Sequence, residues 1–475
     1  MFDVIIIGAG VVGTSISREL SRYKLKVCVL EKEEELAFGV SKSNSGIIHP
    51  GTQNPPASLK GRLCVQGNIL TRKIAKELGV DFQEVGELIL AFSEEEIFHL
   101  HQLRDEAQIL KVPGVRMVDQ IWLSHNEPNL SPQVLAALYA PTAGIISPYR
   151  LVYDLAENAK ANGVEILNQT LVEKIEAGDH EFVVFTSRGE FKSRYLVNCA
   201  GLFADDISRM VGVNDFRIQP LKGEEFILDK KLQDFTRHLI FPLPTKISKG
   251  VLVIKTADGN PMIGPTAQEV QDKTDLTTSQ EGLQKAFRDA RKMVPGISDK
   301  DIIAYFAGLR PKAGDDFIIR HEQKVPGFVN VAGIQSPGLT AAPAIALMVC
   351  GILSDHGLVL NKKLFFKSHR ERTTHLFSLK ISQAEKLIQK EPAYGDIVCR
   401  CEMVSAQEIK EAISRGATTL DGIKFRTRCQ AGRCHGSFCT TRVMKIMAEA
   451  RNIPLTAVTK RGKGSEIVKK DRAND

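Results

Sequence analysis

The chain has 475 residues, which at about 100–200 residues per domain corresponds to roughly two to four domains. Its 43% hydrophobic and 25% charged residues exclude a largely disordered or fibrous protein. The net charge is +7, but no aromatic side chains are interleaved with the basic residues in the way that lets bases stack. We therefore expect no binding of nucleic acid.

The first residues follow the pattern of a dinucleotide-binding unit. Phe2 to Ile7 is an apolar, β-branched run, typical of a buried parallel strand, and Gly8-Ala9-Gly10-Val11-Val12-Gly13 follows it as a G-x-G-x-x-G. An amphipathic helix, a second strand from Lys26 to Leu30 and the acidic residue Glu31 complete the unit. Because the apolar start has no basic residues before it, it does not resemble a secretory signal. We expect a cytoplasmic protein that reaches a membrane only peripherally, through a partner.

Each glycine of this motif has its own physical role. Gly8 permits a tight turn, Gly10 lets a diphosphate approach the backbone, and Gly13 lets the helix pack against the strand. The helix N-terminus then faces the phosphates. Glu31 lies 18 residues beyond Gly13, near the offset of about 20 residues expected for a carboxylate that binds ribose hydroxyls. NAD and FAD both use this unit, so the motif leaves the nucleotide open.

The next segment favours FAD. Residues 38–51, FGVSKSNSGIIHPG, resemble the loop that wraps the flavin in the glycine-oxidase/D-amino-acid-oxidase superfamily of FAD enzymes. Three further landmarks occur in the order of that superfamily: Val197–Gly201 resembles a strand with the second FAD-contacting turn, Gly308–Pro311 the substrate-anchoring turn, and Asn330–Pro343 the final flavin-contacting loop and helix. The resemblance covers roughly residues 1–360, and it is greatest to the branch of glycerol-3-phosphate dehydrogenases and L-2-hydroxyglutarate dehydrogenases.

This resemblance implies an α/β fold whose domains are discontinuous in sequence. A Rossmann-like FAD domain is expected from residues 1–82, 146–216 and 305–360, and an α+β substrate domain from 83–145 and 217–304. The sequence agrees in part, because it has short strand-like runs at Glu87–Phe92, Glu224–Leu228 and Gly250–Lys255 and amphipathic patterns over 94–111 and 278–293. The charged residues 361–394 are expected to form a helical connector.

The same resemblance implies a set of site residues. Arg310 is expected to anchor the substrate anion, since a guanidinium pairs with a carboxylate or phosphate through two hydrogen bonds. His49 is expected near the flavin as the acceptor of the hydroxyl proton. The alternatives are a structural arginine in a surface turn and a histidine that only holds its loop. The residues expected to bind FAD are Gly8, Gly10, Val12, Gly13, Glu31, Lys32, Ser43, Asn44, Ser45, Val172, Ala200, Gly201, Gly338, Leu339 and Thr340.

The implied reaction is oxidation of a hydroxyl-bearing carbon in a small anionic substrate, with glycerol 3-phosphate as first choice. Glycerol-3-phosphate dehydrogenases usually have a lysine in a G-G-K loop near the final flavin contact, where residues 333–340 of this chain read GIQSPGLT. This departure keeps a hydroxy acid such as L-2-hydroxyglutarate as second choice. Oxidation of an amine or amino acid is a rival, because the same fold supports it.

Five of the nine cysteines lie within 41 residues near the C-terminus. The pattern Cys399-x-Cys401, 32 intervening residues, then Cys434-x4-Cys439 is similar to the small, mainly helical 2Fe-2S domain of bacterioferritin-associated ferredoxins, expected here over residues 395–455. Those four cysteines are the expected ligands, and Cys429 is a free neighbour that could take a ligand's place. A zinc site fits less well, because zinc sites usually use pairs with gaps of about two to four residues, and Cys399 and Cys401 are separated by one residue. A non-catalytic electron carrier or zinc-dependent interaction protein is the second rival.

Within this region, Ser405 is expected to cap a helix from Ala406 to Arg415, and a further helix is expected from Thr440 to Arg451. Reduced flavin holds two electrons whereas a 2Fe-2S centre passes one at a time. We therefore expect a dehydrogenase that delivers electrons to a protein or quinone acceptor, with a second flavoprotein subunit as a candidate. The basic tail, residues 456–475, is expected to be solvated and to steer an acidic partner.

The uncharged stretch from Asn330 to Ser354 is long enough to be mistaken for a membrane span. Glycines and prolines, Pro343 among them, interrupt its first half. We therefore expect a buried loop followed by a buried helix, and no transmembrane segment.

Overall fold

The computed structural model describes residues 1–179, 181–245 and 249–469. In chain order the strands are β1 (Phe2–Ile7), β2 (Val27–Leu30), β3 (Ile47–Ile48), β4 (Phe82–Glu84), β5 (Glu87–Ala91), β6 (Arg116–Asp119), β7 (Ala136–Ala140), β8 (Gly144–Ile146), β9 (Glu165–Leu167), β10 (Val172–Ala177), β11 (Phe182–Thr186), β12 (Gly189–Asn198), β13 (Gln219–Leu228), β14 (Leu239–Phe241), β15 (Leu252–Lys255), β16 (Pro261–Gly264), β17 (Gln268–Glu269), β18 (Ile302–Lys312), β19 (Ile318–His321), β20 (Phe328–Ala332), β21 (Ile397–Cys399) and β22 (Val404–Ser405).

The α-helices follow the same numbering. They are α1 (Val11–Leu20), α2 (Leu59–Leu78), α3 (Glu94–Ile109), α4 (Gln120–Asn126), α5 (Pro148–Ala161), α6 (Ala204–Met210), α7 (Gln280–Met293), α8 (Gly338–Asp355), α9 (Ile381–Lys390), α10 (Ala406–Ser414), α11 (Leu420–Thr427) and α12 (Thr440–Arg451).

The first sheet contains the dinucleotide-binding unit. Its strand β1 lies between β2 and β12 and is parallel to both, with β9 beyond β2 and β20 parallel to β12. Val4 and Ile6 pack into a core that includes α1, α5 and α8, whereas Ile5 and Ile7 pack into a second core with β10, β11 and α6. The strand is covered on both faces, which explains its continuous apolar run. The α/β fold expected for this part of the chain is confirmed.

The second sheet is formed by strands β5 to β7 and β13 to β18. Its order is β17-β13-β16-β15-β14-β5-β7-β6, and β18 pairs antiparallel with β13 from Gln219↔Lys312 to Leu228↔Ile302. This pairing corrects two expectations. Residues 305–312 belong to the second sheet and not to the FAD domain, and Gly308–Pro311 lie inside a strand and not in a turn. The ladder to β13 satisfies the backbone groups that a turn would expose.

The connector differs from the expected helix. Residues 361–375 have no regular secondary structure, and α9 is the α-helix of the 361–394 range. The first half crosses the FAD domain as an extended strap, where Lys363 N donates to Arg22 O at 2.8 Å. Arg370 forms ion pairs with Asp154 at 3.0 Å and with Glu157 at 2.7 Å. The charged residues that suggested an exposed helix instead bind the FAD domain, because their partners there are far away in sequence.

The C-terminal domain has a helical core with one small hairpin, β21–β22. The helices predicted after Ser405 and from Thr440 are confirmed, and Ser405 forms a capping box with Glu408. The chain also forms α11, which was not predicted and whose N-terminus is capped by Thr419. Most side chains of the basic tail up to residue 469 are exposed, as expected for a solvated segment, but the first part of the tail is also folded. Val458 is fully buried and Thr459 pairs with Glu466, so residues up to 466 are folded, while residues 470–475 lie outside the described residues.

Within the described part of the chain, one helix, α8, is long and apolar enough to cross a membrane. Of this helix, 61% is buried inside the structure. The expectation of a buried loop followed by a buried helix is confirmed. Pro343 lies inside the helix, however, so the proline does not shorten it as expected.

Candidate functional site

The turn between β1 and α1 has the geometry that the glycine motif predicts. Gly8 has φ +102°, and a Cβ added there would lie 2.5 Å from Cys199 O. A Cβ at Gly13 would lie 2.0 Å from Gly8 O, so the helix and the turn approach too closely for any side chain. Gly10 has an extended backbone, and a Cβ there would lie 3.0 Å from Ser41 Oγ. These contacts match the roles assigned to Gly8 and Gly13, and the approach of a diphosphate to Gly10 stays a prediction.

The loop after β2 closes over this turn. Ser41 Oγ accepts a hydrogen bond from Val11 N at 2.9 Å, at the start of α1. The Asn44 side chain donates to Ser41 O at 2.8 Å and accepts from Gly46 N at 2.9 Å, so it holds the loop together. Glu31 Oε2 accepts from Ala9 N at 2.8 Å, and burial raises the pKa of this carboxyl. The carboxylate therefore lies beside the glycine turn, where the motif predicts a ribose.

A cavity of about 760 Å³ extends from this turn to the second sheet. That volume lies within the usual range of about 300–1,000 Å³ for cofactor and ligand sites. The residues expected to bind FAD all line it except Gly13 and Thr340. Gly13 packs behind Gly8, and Thr340 Oγ1 accepts from His49 N at 2.9 Å. The glycine cradle, the acidic residue and the cavity together fit a bound dinucleotide.

Replacing Gly10 with leucine should expel FAD, because the new side chain would meet Ser41 and fill the space for the diphosphate. We expect purified Gly10→Leu to have lost most of its flavin absorbance. Gly351→Ala is the matched control, since nothing lies within 4 Å of a Cβ at Gly351. Retention of about one FAD per chain by Gly10→Leu would contradict this role.

His49 lies at the far end of the cavity and is buried. Its Nε2 is 3.4 Å from Ser336 Oγ, and its Nδ1 is 3.4 Å from Lys249 Nζ and 4.0 Å from Glu87 Oε2. Burial, together with the nearby Lys249, holds the pKa of His49 well below its ordinary value. The imidazole is therefore neutral at neutral pH, the state in which it can accept a proton.

Glu87 lies behind His49 at the start of β5. Its side chain is fully buried and accepts a hydrogen bond from Thr52 Oγ1. Burial raises the pKa of Glu87 to about 7, while burial lowers the pKa of Lys249. A histidine, a carboxyl group and an amine that titrate outside their ordinary ranges thus meet at one point, as in many catalytic sites.

Arg310 reaches the same cavity from β18. Its Nη2 donates to Thr266 O at 2.7 Å, and the side chain lies near the carboxyl group of Glu225. Glu225 Oε1 accepts from Ser45 Oγ at 3.1 Å, and burial raises the pKa of Glu225 to about 7. Arg310 is therefore not the surface-turn arginine of the alternative interpretation, because it lies on a strand and lines the cavity.

Four residues near His49 and Arg310 were not among the predicted site residues: Glu225, Lys249 and Ser336, which line the cavity, and Glu87, which lies beside His49 without lining it. The sequence could have revealed the two glutamates, because each is a charged residue in a strand-like run that is otherwise largely apolar. Lys249 and Ser336 lie in loops with no such pattern. They reach His49 only through the tertiary structure.

The C-terminal cysteines form a second candidate centre. The Sγ atoms of Cys399, Cys429 and Cys439 lie within 4.8 Å of one another and all three residues are buried. Cys401 Sγ and Cys434 Sγ lie 3.6 Å apart. The structure thus brings the four expected ligands together in two pairs, and it also places Cys429 beside one of these pairs.

One side of the cysteine group is open to solvent. Cys401 is exposed and Cys434 is half-buried, in contrast to the buried Cys399 and Cys439. Phe438, which directly precedes Cys439, has 87% of its surface exposed, and Met403 has 40% exposed. An apolar rim around exposed metal-ligand candidates indicates a contact surface.

The cysteine domain is joined to the FAD domain through polar contacts. Glu35 Oε1 accepts from the backbone N atoms of Thr418 and Thr419 at 2.7 and 3.1 Å. Arg428, the residue before Cys429, donates to Tyr149 Oη at 3.2 Å and to Asn260 Oδ1 at 3.0 Å. The FAD domain and the cysteine domain, which carry the two candidate redox centres, are thus held in contact.

Comparisons with known proteins agree with this division. Residues 3–351 match the family model described as FAD dependent oxidoreductase, and residues 397–449 match the BFD-like [2Fe-2S] binding domain. The chain is 41% identical to a glycerol 3-phosphate dehydrogenase of Caloramator mitchellensis over 98% of both chains, and 30% identical to an L-2-hydroxyglutarate dehydrogenase of Indibacter alkaliphilus over 74% of this chain and 98% of that protein.

Among solved structures, the L-alpha-glycerophosphate oxidase of Mycoplasma pneumoniae with FAD bound superimposes with a TM-score of 0.75 and 30% identity. The match covers 79% of this chain and 99% of the oxidase. The nucleotide left open by the glycine motif is therefore FAD, and the metal group left open by the cysteine spacing is a 2Fe-2S cluster.

Proposed function

Since the chain belongs to the FAD dependent oxidoreductase family and carries a BFD-like [2Fe-2S] binding domain, we propose that it is a dehydrogenase that oxidises glycerol 3-phosphate. The observation that carries the proposal is the convergence of His49, Lys249 and Arg310 on one cavity. L-2-hydroxyglutarate or a similar hydroxy acid is the second candidate, because relatives of both kinds resemble this chain.

Two cationic side chains support a phosphate-bearing substrate. Arg310 and Lys249 both line the cavity, Arg310 from β18 and Lys249 from the connection between β14 and β15. A phosphate group carries close to two negative charges at neutral pH and takes hydrogen bonds from both kinds of cation. The lysine missing from the loop at residues 333–340 therefore has a counterpart in Lys249, which comes from a different part of the chain.

His49 is placed to take the hydroxyl proton while FAD, when bound, supplies the acceptor for the hydride from the same carbon. The Glu87 carboxyl group lies 4.0 Å from Nδ1, which is beyond hydrogen-bond distance, but a small movement would let it accept the hydrogen carried there and leave the Nε2 lone pair for the substrate. A substrate phosphate that attracts Lys249 would free Nδ1 for this contact. Glu87 thus acts as a positioning residue for the histidine.

The four cysteines Cys399, Cys401, Cys434 and Cys439 are the proposed ligands of the cluster, which supplies one-electron transfer when bound. Their sulfur atoms form two pairs, as two iron atoms with two protein ligands each require. The exposed edge at Cys401 and Phe438 is the proposed exit for electrons, toward a protein or quinone acceptor, with a second flavoprotein subunit as a candidate.

Replacing Arg310 with lysine keeps the charge but removes the paired hydrogen bonds to an anion. A hydrogen bond between charged groups contributes about 1.5–3 kcal/mol, so we expect KM for glycerol 3-phosphate to rise by about tenfold or more. Steady-state kinetics measure this effect. Arg288→Lys, at a side chain that is 67% exposed on α7, is the matched control. Unchanged kinetics for Arg310→Lys would contradict substrate anchoring.

The substrate proposal is tested by anaerobic reduction of the bound flavin. Glycerol 3-phosphate should bleach the flavin absorbance fastest, L-2-hydroxyglutarate more slowly, and glycine and other amines not at all. If a hydroxy acid bleached the flavin faster than glycerol 3-phosphate does, the substrate would instead be L-2-hydroxyglutarate or a similar hydroxy acid. Bleaching by amines alone would overturn oxidation of a hydroxyl group, and no bleaching by any substrate would favour a non-catalytic electron carrier.

A further inference from the structure

The segment after the cysteine domain returns to the FAD cavity. Thr459 O accepts from Leu420 N at 3.1 Å and Lys460 O accepts from Asp421 N at 2.9 Å, which seats the segment on the start of α11. Lys460 N then donates to Ser465 O at 2.9 Å, closing a tight turn. Gly462 at its tip has φ +119°, and a Cβ there would lie 3.3 Å from the side chain of Glu34. The turn is therefore pressed against the FAD domain.

This turn places Arg461 in the lining of the cavity. The Arg461 guanidinium carbon lies 5.5 Å from the centre of the Phe38 ring, and Lys42 Nζ lies 4.4 Å from the same ring. Phe38 packs edge-on against Phe425 of α11 at 5.8 Å. Two cations from opposite ends of the sequence thus meet at one aromatic side chain on the cavity wall.

Neither cation has an anionic partner of its own among the residues that the structure describes. Within the described residues, the side chains of Lys42 and Arg461 form cation–π contacts but no ion pair within 4 Å. Asp421 and Glu33 attract Lys42 from a greater distance, whereas Arg461 and Lys424 repel it. Burial and this repulsion lower the pKa of Lys42 to about 8. A ligand with negative charge would relieve the unfavourable pairing of like charges.

The position of the two cations indicates which part of FAD they meet. Lys42 directly follows Ser41, whose hydroxyl lies at the N-terminus of α1 and 3.0 Å from a Cβ at Gly10. The diphosphate of a bound dinucleotide lies at that helix terminus. The diphosphate is also the anionic part of FAD.

We propose that Arg461, together with Lys42, binds the diphosphate of FAD, so that the segment following the iron–sulfur domain completes the cofactor site of the FAD domain. Binding of FAD and docking of the C-terminal segment onto the FAD domain are then thermodynamically coupled. Docking of the segment strengthens FAD binding, and FAD binding strengthens docking by the same factor. The inference concerns FAD and not the substrate, so its failure would leave the proposed reaction untouched.

The test is equilibrium titration of the full-length protein, stripped of flavin, with FAD and with ADP, which shares the adenosine and diphosphate. Arg461→Ala should raise Kd for both ligands by about tenfold, and Arg461→Lys by much less. Lys463→Ala is the matched control, because Lys463 is exposed in the same turn and does not line the cavity, and its Kd values should stay within about twofold.

The Arg461 guanidinium takes no part in the hydrogen bonds that close the turn, which use Arg461 N and Ser465, so we expect all variants to fold. An unchanged thermal midpoint and an intact 2Fe-2S absorbance check this. Equal weakening by Arg461→Ala and Lys463→Ala, loss of FAD affinity without loss of ADP affinity, or no effect would each overturn the proposal. As a second measurement, FAD should slow amide hydrogen exchange in residues 459–466 of the unmodified protein, and an unchanged exchange rate there would also overturn it.

Discussion

Replacing His49 with glutamine should slow reduction of the bound flavin by glycerol 3-phosphate by about 100-fold or more, the usual contribution of a positioned proton acceptor. Glutamine keeps a side chain of similar reach, and the backbone bonds of His49 to Thr340 and Asn68 do not depend on the ring. FAD content and the thermal midpoint should therefore be retained. The measurement is rapid-mixing absorbance under anaerobic conditions.

The pH profile distinguishes a proton acceptor from a structural histidine. Protonation of His49 removes the acceptor, and because its pKa lies well below the ordinary histidine value, the decline due to His49 should come only at lower pH, separate from any change near pH 7, where Glu87 titrates. In His49→Gln this acid decline should be absent. His99→Gln, at an exposed position of α3, is the control. If His49→Gln reduces its flavin at the native rate across pH, the histidine only holds its loop.

Replacing Cys399 and Cys401 together with serine should abolish electron transfer to a one-electron acceptor, while glycerol 3-phosphate still bleaches the flavin. The reason is that FAD and the cluster occupy separate domains, so loss of the cluster leaves the first half-reaction intact when FAD is kept at a saturating concentration. Turnover with an acidic cytochrome measures the transfer, and the paramagnetic signal of the reduced protein measures the cluster. Cys350→Ser, at a buried thiol on α8, is the control.

Full turnover of the double variant with the cytochrome would contradict the proposed electron transfer through the cluster. If the unmodified protein contained zinc instead of iron and sulfide, the assignment of a 2Fe-2S cluster would be wrong. Cys429 is the critical single position. If the four proposed ligands are right, Cys429→Ala should keep the paramagnetic signal, whereas loss of the signal would make Cys429 a ligand.

Local patterns in the sequence were sufficient for much of the fold. The strand from Phe2 to Ile7, the glycine turn and α1 follow from rules that act over a few residues, namely burial periodicity and the steric freedom of glycine. The helices after Ser405 and from Thr440 follow from capping and periodicity in the same way. The resemblance to a known superfamily added the expected FAD-binding residues, most of which line the cavity.

Local patterns failed where distant segments compete for the same residues. The resemblance to the superfamily implied a turn at Gly308–Pro311, but the ladder with β13 stabilises a strand there. Residues 361–375 read as helical because of their charges, but Arg370 is held by Asp154 and Glu157, more than 200 positions away. In both cases tertiary contacts outweigh a weak local preference.

The sequence by itself determined that the chain has a dinucleotide site and a cysteine-ligated metal site, because a dinucleotide turn and a cysteine pattern are each formed by residues close together in the chain. Only the tertiary structure decided the details of the site. It brought Lys249 to His49 from 200 positions away and Arg461 to Lys42 from the other end of the chain. Local sequence patterns do not predict such long-range contacts. The contacts form when two sheets and a third domain pack around one cavity, so the position of each side chain there depends on the whole fold.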